Sequence, residues 1–92
     1  MNFSIIIPFY NEEKNIAILH KEITKALLKI KNKHKFELIY IDDGSDDNTL
    51  KELIKLKKNY FPKKIILHKK NESQSKAIQS GINESLFENL IF

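Results

Sequence analysis

Phe36-Glu37-Leu38-Ile39-Tyr40-Ile41-Asp42-Asp43-Gly44-Ser45 is the stretch that decides the fold. Its first six residues are apolar at nearly every position and rich in β-branched and aromatic side chains, which is the pattern of a strand buried on both faces of a parallel sheet. Two carboxylates, a glycine and a hydroxyl follow at once. Because ligands bind beyond the carboxyl ends of such strands in open α/β sheets, this segment predicts both a strand and a candidate site.

The same pattern, a short apolar run followed by a longer amphipathic segment, occurs three times along the chain. It predicts strands over 3–7, 36–41 and 64–68, and helices over 13–31, from 46–48 to the break at Pro62, and over 74–85. Residues 89–92 resemble the start of a fourth strand. Since β-α-β crossovers are right-handed, we expect an α/β, Rossmann-like, three-layer αβα fold whose parallel sheet has three strands plus the start of a fourth. Strands one and two are favoured as the central ones.

The helical periodicity also predicts which side chains face the sheet. The apolar positions expected on the inner faces of the three helices are Ile16, Leu19, Ile23, Ala26, Leu27 and Ile30; Leu50, Leu53, Ile54, Tyr60 and Phe61; and Ile78, Ile82 and Leu86. Pro8 has no N–H to donate, so we expect it to close the first strand.

Length and composition fit one small domain over residues 1–92. A chain of 92 residues buries somewhat over ~60% of its unfolded surface. Its apolar fraction of 41% and charged fraction of 30% are those of an ordinary globular protein rather than a disordered tail. The sequence has no cysteine, which excludes disulfides, thiolate metal sites and cysteine nucleophiles.

The net charge of +4 comes from 16 basic residues, all of them lysine. Nucleic-acid readers usually use the planar fork of arginine, so we expect no nucleic-acid partner. The lysines recur instead on the outer faces of the first two predicted helices, at Lys21, Lys25 and Lys29 and at Lys51, Lys55 and Lys58.

The apolar run at the start of the chain is far shorter than the ~20 residues of a membrane span, and no basic segment precedes it, so it predicts a strand and not a signal peptide. We expect a cytoplasmic protein that can lie at the inner face of the membrane, because lysines near an anionic bilayer contribute about 1 kcal/mol each.

Three loops should meet at one edge of the predicted sheet, because they follow the carboxyl ends of its strands: residues 8–12, 42–45 and 68–75. Tyr10 can cover a base or ribose, Asp43 can accept hydrogen bonds from a ring N–H or ribose hydroxyls, and Gly44 lets the backbone come close. Asp42 and Asp43 could instead hold Mg²⁺ or Mn²⁺, or merely punctuate a turn. Because adjacent strand residues point to opposite faces, we expect one to face the ligand and the other to brace the loop.

Other site types have little support in the sequence. The glycine-rich phosphate loops are absent, and His20, His34 and His68 lack metal-ligand spacing, although His68 is near the ligand edge. No nucleophile elbow and no Ser/His/Asp set is evident. A phosphorelay receiver domain would need an acidic pair after the first strand and an aspartate after the third, where this chain has Pro8 and His68.

With all three loops in view, the chain resembles the amino-terminal half of the family 2 glycosyltransferases, inverting sugar-nucleotide enzymes of the GT-A fold. The residues that carry the resemblance are Ser4 to Glu13, with the Pro-x-Tyr-Asn-Glu loop; Glu37 to Thr49, with Asp-Asp-Gly-Ser; and Asn71 to Ala77, with Gly81 and Ile82 after it. The polyprenyl-phosphate and dolichol-phosphate sugar transferases are the most similar subgroup. One departure is Ser73, where the family usually has glycine.

The resemblance implies a site for the nucleoside of a UDP- or GDP-sugar. It assigns contacts with the nucleotide to Pro8, Tyr10, Glu12, Ile41 and Asp43, with Asp43 on the base. The supporting loop residues are Asn11, Asp42, Gly44, Ser45 and Gln74.

The resemblance also implies what lies outside the chain. In the family the fourth strand leads to an Asp-x-Asp segment that binds Mg²⁺ or Mn²⁺, and the catalytic base and the acceptor site, for a lipid phosphate or glycan, come later. We therefore expect that the chain is truncated before the metal site, holds neither metal nor catalytic residues, and is inactive alone. A non-catalytic nucleotide-binding module is the alternative, and self-association through an exposed sheet edge is expected.

Overall fold

The computed structural model describes residues 1–56, 61–87 and 89–91. The elements are β1 (Asn2–Phe9), α1 (Ile16–Leu28), β2 (Lys35–Asp43), α2 (Thr49–Lys55), β3 (Lys63–His68), α3 (Gln74–Glu84) and β4 (Asn89–Ile91). In this part of the chain the strands form one sheet in the order β3-β2-β1-β4, with every neighbouring pair parallel. The predicted α/β fold is confirmed, and the first two strands are central.

Strand β2 has both faces covered, and its residues alternate between two cores. Phe36, Leu38 and Tyr40 belong to the larger core, together with buried residues of α1 and α2. Ile39 and Ile41 belong to the smaller core on the α3 side. This alternation makes the three layers, because each face of the central strand contributes its own set of apolar side chains.

Helix α3 lies very close to the sheet at a glycine. A Cβ atom added to Gly81 would meet Cγ2 of Ile6 at 2.3 Å and Cδ1 of Ile41 at 3.1 Å. Ala77, one turn earlier, is also fully buried. Small residues on this face let α3 approach the sheet, and a side chain at position 81 would overpack the core.

A buried carboxylate interrupts the apolar pattern of β2. Glu37 is only 1% exposed, and its Oε2 accepts hydrogen bonds from Ser4 Oγ at 2.6 Å and from the backbone N–H of Leu86 at 2.6 Å. Its Oε1 lies 3.7 Å from Lys64 Nζ. The Ser4 hydroxyl also accepts from the N–H of Phe87 at 3.3 Å. This network attaches the segment before β4 to the two central strands.

The helices are shorter than the periodicity predicts. Helix α1 begins at Ile16 and ends at Leu28, because turns occupy the residues predicted as its first and last turns. Helix α2 ends at Lys55, where Leu56 turns to an extended backbone with ψ of 128°. Helix α3 ends one residue before the predicted end.

The first three strands are longer than predicted. Pro8 lies inside β1, opposite Ile41 of β2. The described part of β4 pairs only with residues 3–5, so that side of β1 is an edge at Pro8, where the missing N–H is tolerated. Strand β2 continues through Asp42 and Asp43, because both pair with β3. The carboxylates therefore belong to the strand itself.

Several predicted core positions are wrong. Four of them are exposed in the structure: Ala26, Ile30, Ile54 and Leu86. Leu86 also lies beyond the end of α3. Tyr60, Lys58 and Phe92 are outside the described residues. The other five lysines predicted on outer helix faces are exposed, as expected.

A histidine on α1 contacts the buried tyrosine of β2. Nδ1 of His20 lies 2.9 Å from the hydroxyl of Tyr40, which is fully buried. Burial raises the pKa of Tyr40, so its phenol donates the hydrogen bond. Burial, with a smaller effect of the Lys63 charge, lowers the pKa of His20 below its usual 6.5.

The His20 shift makes stability depend on pH. The unfolded chain binds a proton near pH 6.5 while the folded chain resists it, so the free energy of unfolding should be highest above that pH and fall as the pH drops towards the folded pKa. In His20→Gln this dependence should be weaker, since the amide can accept from Tyr40 without titrating. Urea unfolding between pH 7 and about pH 5.5 measures how the free energy of unfolding changes with pH in the wild-type chain and in the variant. Equal changes in the two proteins would show that His20 is not the source of the pH dependence.

Candidate functional site

The candidate site lies at the carboxyl edge of the sheet. Register places Phe9 of β1 beside Asp42 of β2, and Asp43 beside His68 of β3. An open depression of about 300 Å³ lies among the loops that follow these strands, at the lower end of the size range of small-molecule sites. Its lining residues are Pro8, Phe9, Tyr10, Glu12, Asp43, Asn71, Ser73 and Gln74.

Asp43 is the buried carboxylate of this depression, and its side chain is only 5% exposed. Its Oδ1 lies 3.0 Å from His68 Nδ1 and accepts from the N–H of Glu72 at 3.3 Å. Its Oδ2 accepts from Asn71 Nδ2 at 3.0 Å. The β3–α3 loop is thus built around Asp43 and holds the carboxylate in one orientation.

The neighbouring Asp42 lies on the opposite face of β2 and is also buried. Its Oδ1 accepts from the N–H of Ser45 at 3.2 Å, within the turn that ends the strand. The two carboxylates therefore bond to different loops, as alternation along a strand requires.

Gly44 permits the β2–α2 loop and the β3–α3 loop to touch. It has a φ of 72°, and an added Cβ would lie 2.2 Å from both the nitrogen of Asn71 and the carbonyl carbon of Lys70. Both the left-handed conformation and the lack of space exclude a side chain here.

The β1–α1 loop is hydrogen-bonded to the β2–α2 loop. The N–H of Asn11 donates to Ser45 Oγ at 2.9 Å, and Asn11 Oδ1 accepts from the N–H of Asp46 at 2.8 Å. Asn11 has a φ of 52°, a conformation that asparagine tolerates better than most residues. The N–H of Glu12 donates to Thr49 Oγ1 at 2.8 Å. The backbone that follows Tyr10 is therefore held in place.

Asp47 supports this junction. Its Oδ1 accepts from the N–H of Thr49 at 2.9 Å, and its Oδ2 from the N–H of Glu13 at 3.3 Å. Desolvation acts to raise the pKa of Asp47, but the hydrogen bonds from Thr49 and Glu13 outweigh it and lower the pKa. The charged form of Asp47 thus starts α2, which has no side-chain hydrogen bond from its N-cap Asn48.

Two polar side chains of the β1–α1 loop lie on the rim of the depression. Tyr10 is 43% exposed, and its hydroxyl is 3.5 Å from Oδ2 of Asp46. Glu12 is exposed, and its Oε2 accepts from Asn15 Nδ2 at 2.8 Å. Both can reach a ligand without leaving a buried partner behind.

The structure brings most of the predicted site residues together. Pro8, Tyr10, Glu12, Asp43 and Gln74 line the depression, and Asn11, Asp42, Gly44 and Ser45 lie in the loop contacts around it. Ile41 does not line it, because its side chain is fully buried in the α3-side core.

Sequence reasoning missed three lining residues, Phe9, Asn71 and Ser73. The position of Asn71 in the third loop was a usable signal. Ser73 has a second contact, since its Oγ accepts from the N–H of Lys76 at 3.2 Å and caps α3.

Contrary to the prediction from the sequence, a serine, a histidine and an aspartate do come together in the structure. Nδ1 of His68 lies 3.0 Å from Asp43, and its Nε2 lies 2.7 Å from the hydroxyl of Ser80. The three residues lie in separate elements, so their spacing along the chain carries no signal of this arrangement.

Within residues 1–56, 61–87 and 89–91, no three His, Asp or Glu side chains come together as a metal site. None of the helices in these ranges has both the length and the apolar character needed to cross a bilayer.

Comparison with known proteins connects this geometry to a family. The chain matches the family model described as glycosyl transferase family 2 over residues 4–92. The chain belongs to this family. The resemblance found in the three loop motifs is thereby confirmed.

Its relatives include transferases whose names specify polyprenyl phosphates. A dolichyl-phosphate beta-glucosyltransferase from Mus musculus is 32% identical over 94 residues, which cover 96% of this chain and 29% of the relative. A dolichol-phosphate mannosyltransferase from Pyrococcus furiosus is 34% identical over 85 residues, or 92% of this chain and 23% of the relative. An undecaprenyl-phosphate 4-deoxy-4-formamido-L-arabinose transferase from Proteus mirabilis is 33% identical over 85 residues, or 89% and 25%. The chain thus spans about a quarter of the length of these relatives.

The contact at Gly44 can be tested with two substitutions. Gly44→Ala should lower the free energy of unfolding by at least about 1 to 2 kcal/mol, because it combines a left-handed backbone with a collision against residues 70 and 71. Gly44→Asn relieves part of the conformational cost but keeps the collision, so it should be destabilised as well. Denaturant unfolding measures both, with Asn32→Ala in an exposed loop as control. If Gly44→Asn were as stable as the wild-type chain, the space between residue 44 and residues 70 and 71 would be large enough for a side chain.

Proposed function

We propose that these residues bind the nucleoside of a UDP- or GDP-sugar, and that the longer protein transfers the sugar, a hexose-type unit, to a polyprenyl phosphate or glycan acceptor. The observation that carries the proposal is the depression at the carboxyl edge of the sheet, where Asp43 supplies a fixed acceptor in a chain of glycosyl transferase family 2. Non-catalytic nucleotide binding is the second candidate, because it needs only the residues of this depression.

Each part of the depression suits one part of a nucleoside. The buried carboxylate of Asp43 accepts a hydrogen bond from a base N–H, and the exposed ring of Tyr10 covers the base or ribose. Glu12 and Pro8 lie on the ribose side, while Gln74 closes the depression from α3. Ile41 contributes from below, through the packing that holds β2 in place. These contacts give affinity without chemistry at the sugar.

The remaining parts of the reaction are assigned to the longer protein. We place its Mg²⁺ or Mn²⁺, its catalytic residues and its acceptor site outside these 92 residues, so that the chain alone is inactive in transfer. The printed names of the relatives, which specify dolichol or undecaprenyl phosphate, support a polyprenyl phosphate as the acceptor. An acceptor of this kind lies in a membrane, which supports a cytoplasmic protein peripheral to its inner face.

Self-association is a separate prediction from the sheet. In the described residues β4 pairs with β1 on one side and ends the sheet on the other, and unpaired strand edges associate readily. Sedimentation of the 92-residue chain should show mass increasing with concentration. Asn89→Pro or Ile91→Lys, which disfavours pairing at this edge, should reduce the association. A monomer at every concentration would contradict the prediction.

Nucleotide binding is tested by calorimetry of the isolated chain with UDP, GDP and their sugars. Asp43→Ala should weaken binding by about 1 to 3 kcal/mol, because a buried hydrogen bond to a charged acceptor is lost. Asp43→Asn keeps the shape, and Glu22→Ala on the exposed face of α1 removes the same charge elsewhere. If none of these nucleotides bound, the proposal would be overturned. If Asp43→Ala bound them as tightly as the wild-type chain, Asp43 would have no role in binding.

A further inference from the structure

The acceptor capacity of Asp43 is almost fully used. An ionised carboxylate offers about four acceptor positions, two on each oxygen. Among the described residues, two donors bond to Oδ1, the ring of His68 at 3.0 Å and the N–H of Glu72 at 3.3 Å. One donor, Asn71 Nδ2 at 3.0 Å, bonds to Oδ2. The position that remains is therefore on Oδ2.

His68 is held in the form that occupies Oδ1. Since an ionised carboxylate only accepts hydrogen bonds, Nδ1 of His68 must carry the proton between them. Nε2 of a neutral ring then accepts from the hydroxyl of Ser80, 2.7 Å away. The side chain of His68 is only 12% exposed. Asp43 therefore fixes the tautomer of the ring, and the bond to Ser80 helps to hold its orientation.

The Asp43, His68 and Ser80 side chains have the connectivity of a hydrolase triad, but their surroundings do not support that chemistry. Ser80 lies in the interior of α3, where backbone N–H groups donate to carbonyls one turn earlier. Those groups cannot stabilise an oxyanion beside the serine hydroxyl, which acyl transfer requires. The arrangement is better explained as a support for the carboxylate that faces the depression.

The number of free acceptor positions restricts which base can bind. Uracil has one N–H on its pairing edge, between two carbonyl groups, and needs one acceptor. Guanine presents two adjacent donors, N1–H and the N2 amino group, which pair with a carboxylate through both of its oxygens. Because the donors from His68 and Glu72 already fill Oδ1, only the single donor of uracil can be satisfied without displacing a buried partner.

We propose that His68 is a specificity-determining residue, which acts by occupying Oδ1 of Asp43 so that the site takes a uridine nucleotide in preference to a guanosine nucleotide. This inference rests on the proposed function, because it concerns the base bound at the same depression. His68 does not touch the base. It sets the number of hydrogen bonds that Asp43 can accept, and Ser80 holds it in place.

The test is calorimetry of UDP and GDP with the 92-residue chain and two variants. The wild-type chain should bind UDP about tenfold more tightly than GDP, the difference that one net hydrogen bond makes. His68→Phe frees an acceptor position on Oδ1. The affinity for GDP should therefore rise relative to that for UDP, and the preference for UDP should fall to about twofold or less. His68→Asn keeps a donor near the position of Nδ1 and should restore the preference, which a purely structural role would not require.

The outcomes separate this inference from the proposed function. Equal or tighter binding of GDP by the wild-type chain, or a ratio unchanged in His68→Phe, would overturn the inference and leave nucleotide binding intact. Failure of both UDP and GDP to bind would overturn both. If His68→Phe does not fold, as judged by circular dichroism, the comparison of the wild-type chain with His68→Asn and Asp43→Asn decides, because in Asp43→Asn the preference for UDP should be lost.

A spectroscopic readout tests the arrangement without any nucleotide. Nitrogen-15 NMR of the wild-type chain should show His68 protonated at Nδ1, the less common tautomer of a free imidazole. In Asp43→Ala the signal should move towards a mixture of the two tautomers, because the acceptor for the proton on Nδ1 is lost, whereas Gln79→Ala at an exposed position of α3 should leave it unchanged. A wild-type His68 protonated at Nε2 would show that the ring does not donate to Asp43 and would overturn the inference.

Discussion

The two-residue periodicity of β2 is the constraint on which the rest of the structure depends. This strand pairs in parallel on both sides and is covered on both faces, so its register cannot shift without moving every side chain to the wrong core. A shift of one residue would exchange the faces of the sheet on which Asp42 and Asp43 lie. Asp43 would then point away from the β3–α3 loop that now holds its carboxylate. The same hydrophobic pattern that makes the core thus also places the acceptor.

The loops at this edge are ordered by one another. Asn11 bonds to Ser45 and Asp46, Glu12 bonds to Thr49, and Gly44 lies against residues 70 and 71. Most of these bonds join a backbone group of one loop to a side chain of another, which satisfies polar groups that a short loop cannot satisfy within itself. A ligand that enters the depression therefore meets a surface that is already in place, and less of its binding free energy is needed to order loops.

Features that depend on residues close together along the chain were predicted from the sequence, and features that depend on distant residues were not. Local periodicity was sufficient for the parallel sheet, its central strands and the edge that carries the site, and alternation alone separated Asp42 from Asp43. Helix α1 begins later than predicted, because contacts with another loop, such as the bond from the N–H of Glu13 to Asp47, hold the residues before it. Helix α2 ends earlier than predicted, where Leu56 adopts an extended backbone. The buried Glu37 and the contact of His68 with Ser80 were not foreseen, since their partners are remote along the chain. Such pairs become neighbours only when the sheet has formed.

Glu37 has a mechanical consequence. It lies on the same face of β2 as Asp43, about 20 Å away along the strand at a rise of about 3.3 Å per residue. Glu37 bonds to the segment that follows α3, and Asp43 bonds to the loop that precedes it. The central strand therefore bonds to the segments on both sides of one helix, and Gly81 lets that helix lie close to the sheet. The segment that leads to β4 and the loop that bonds to the carboxylate at the far edge are thus attached to the same strand and to the two ends of the same helix.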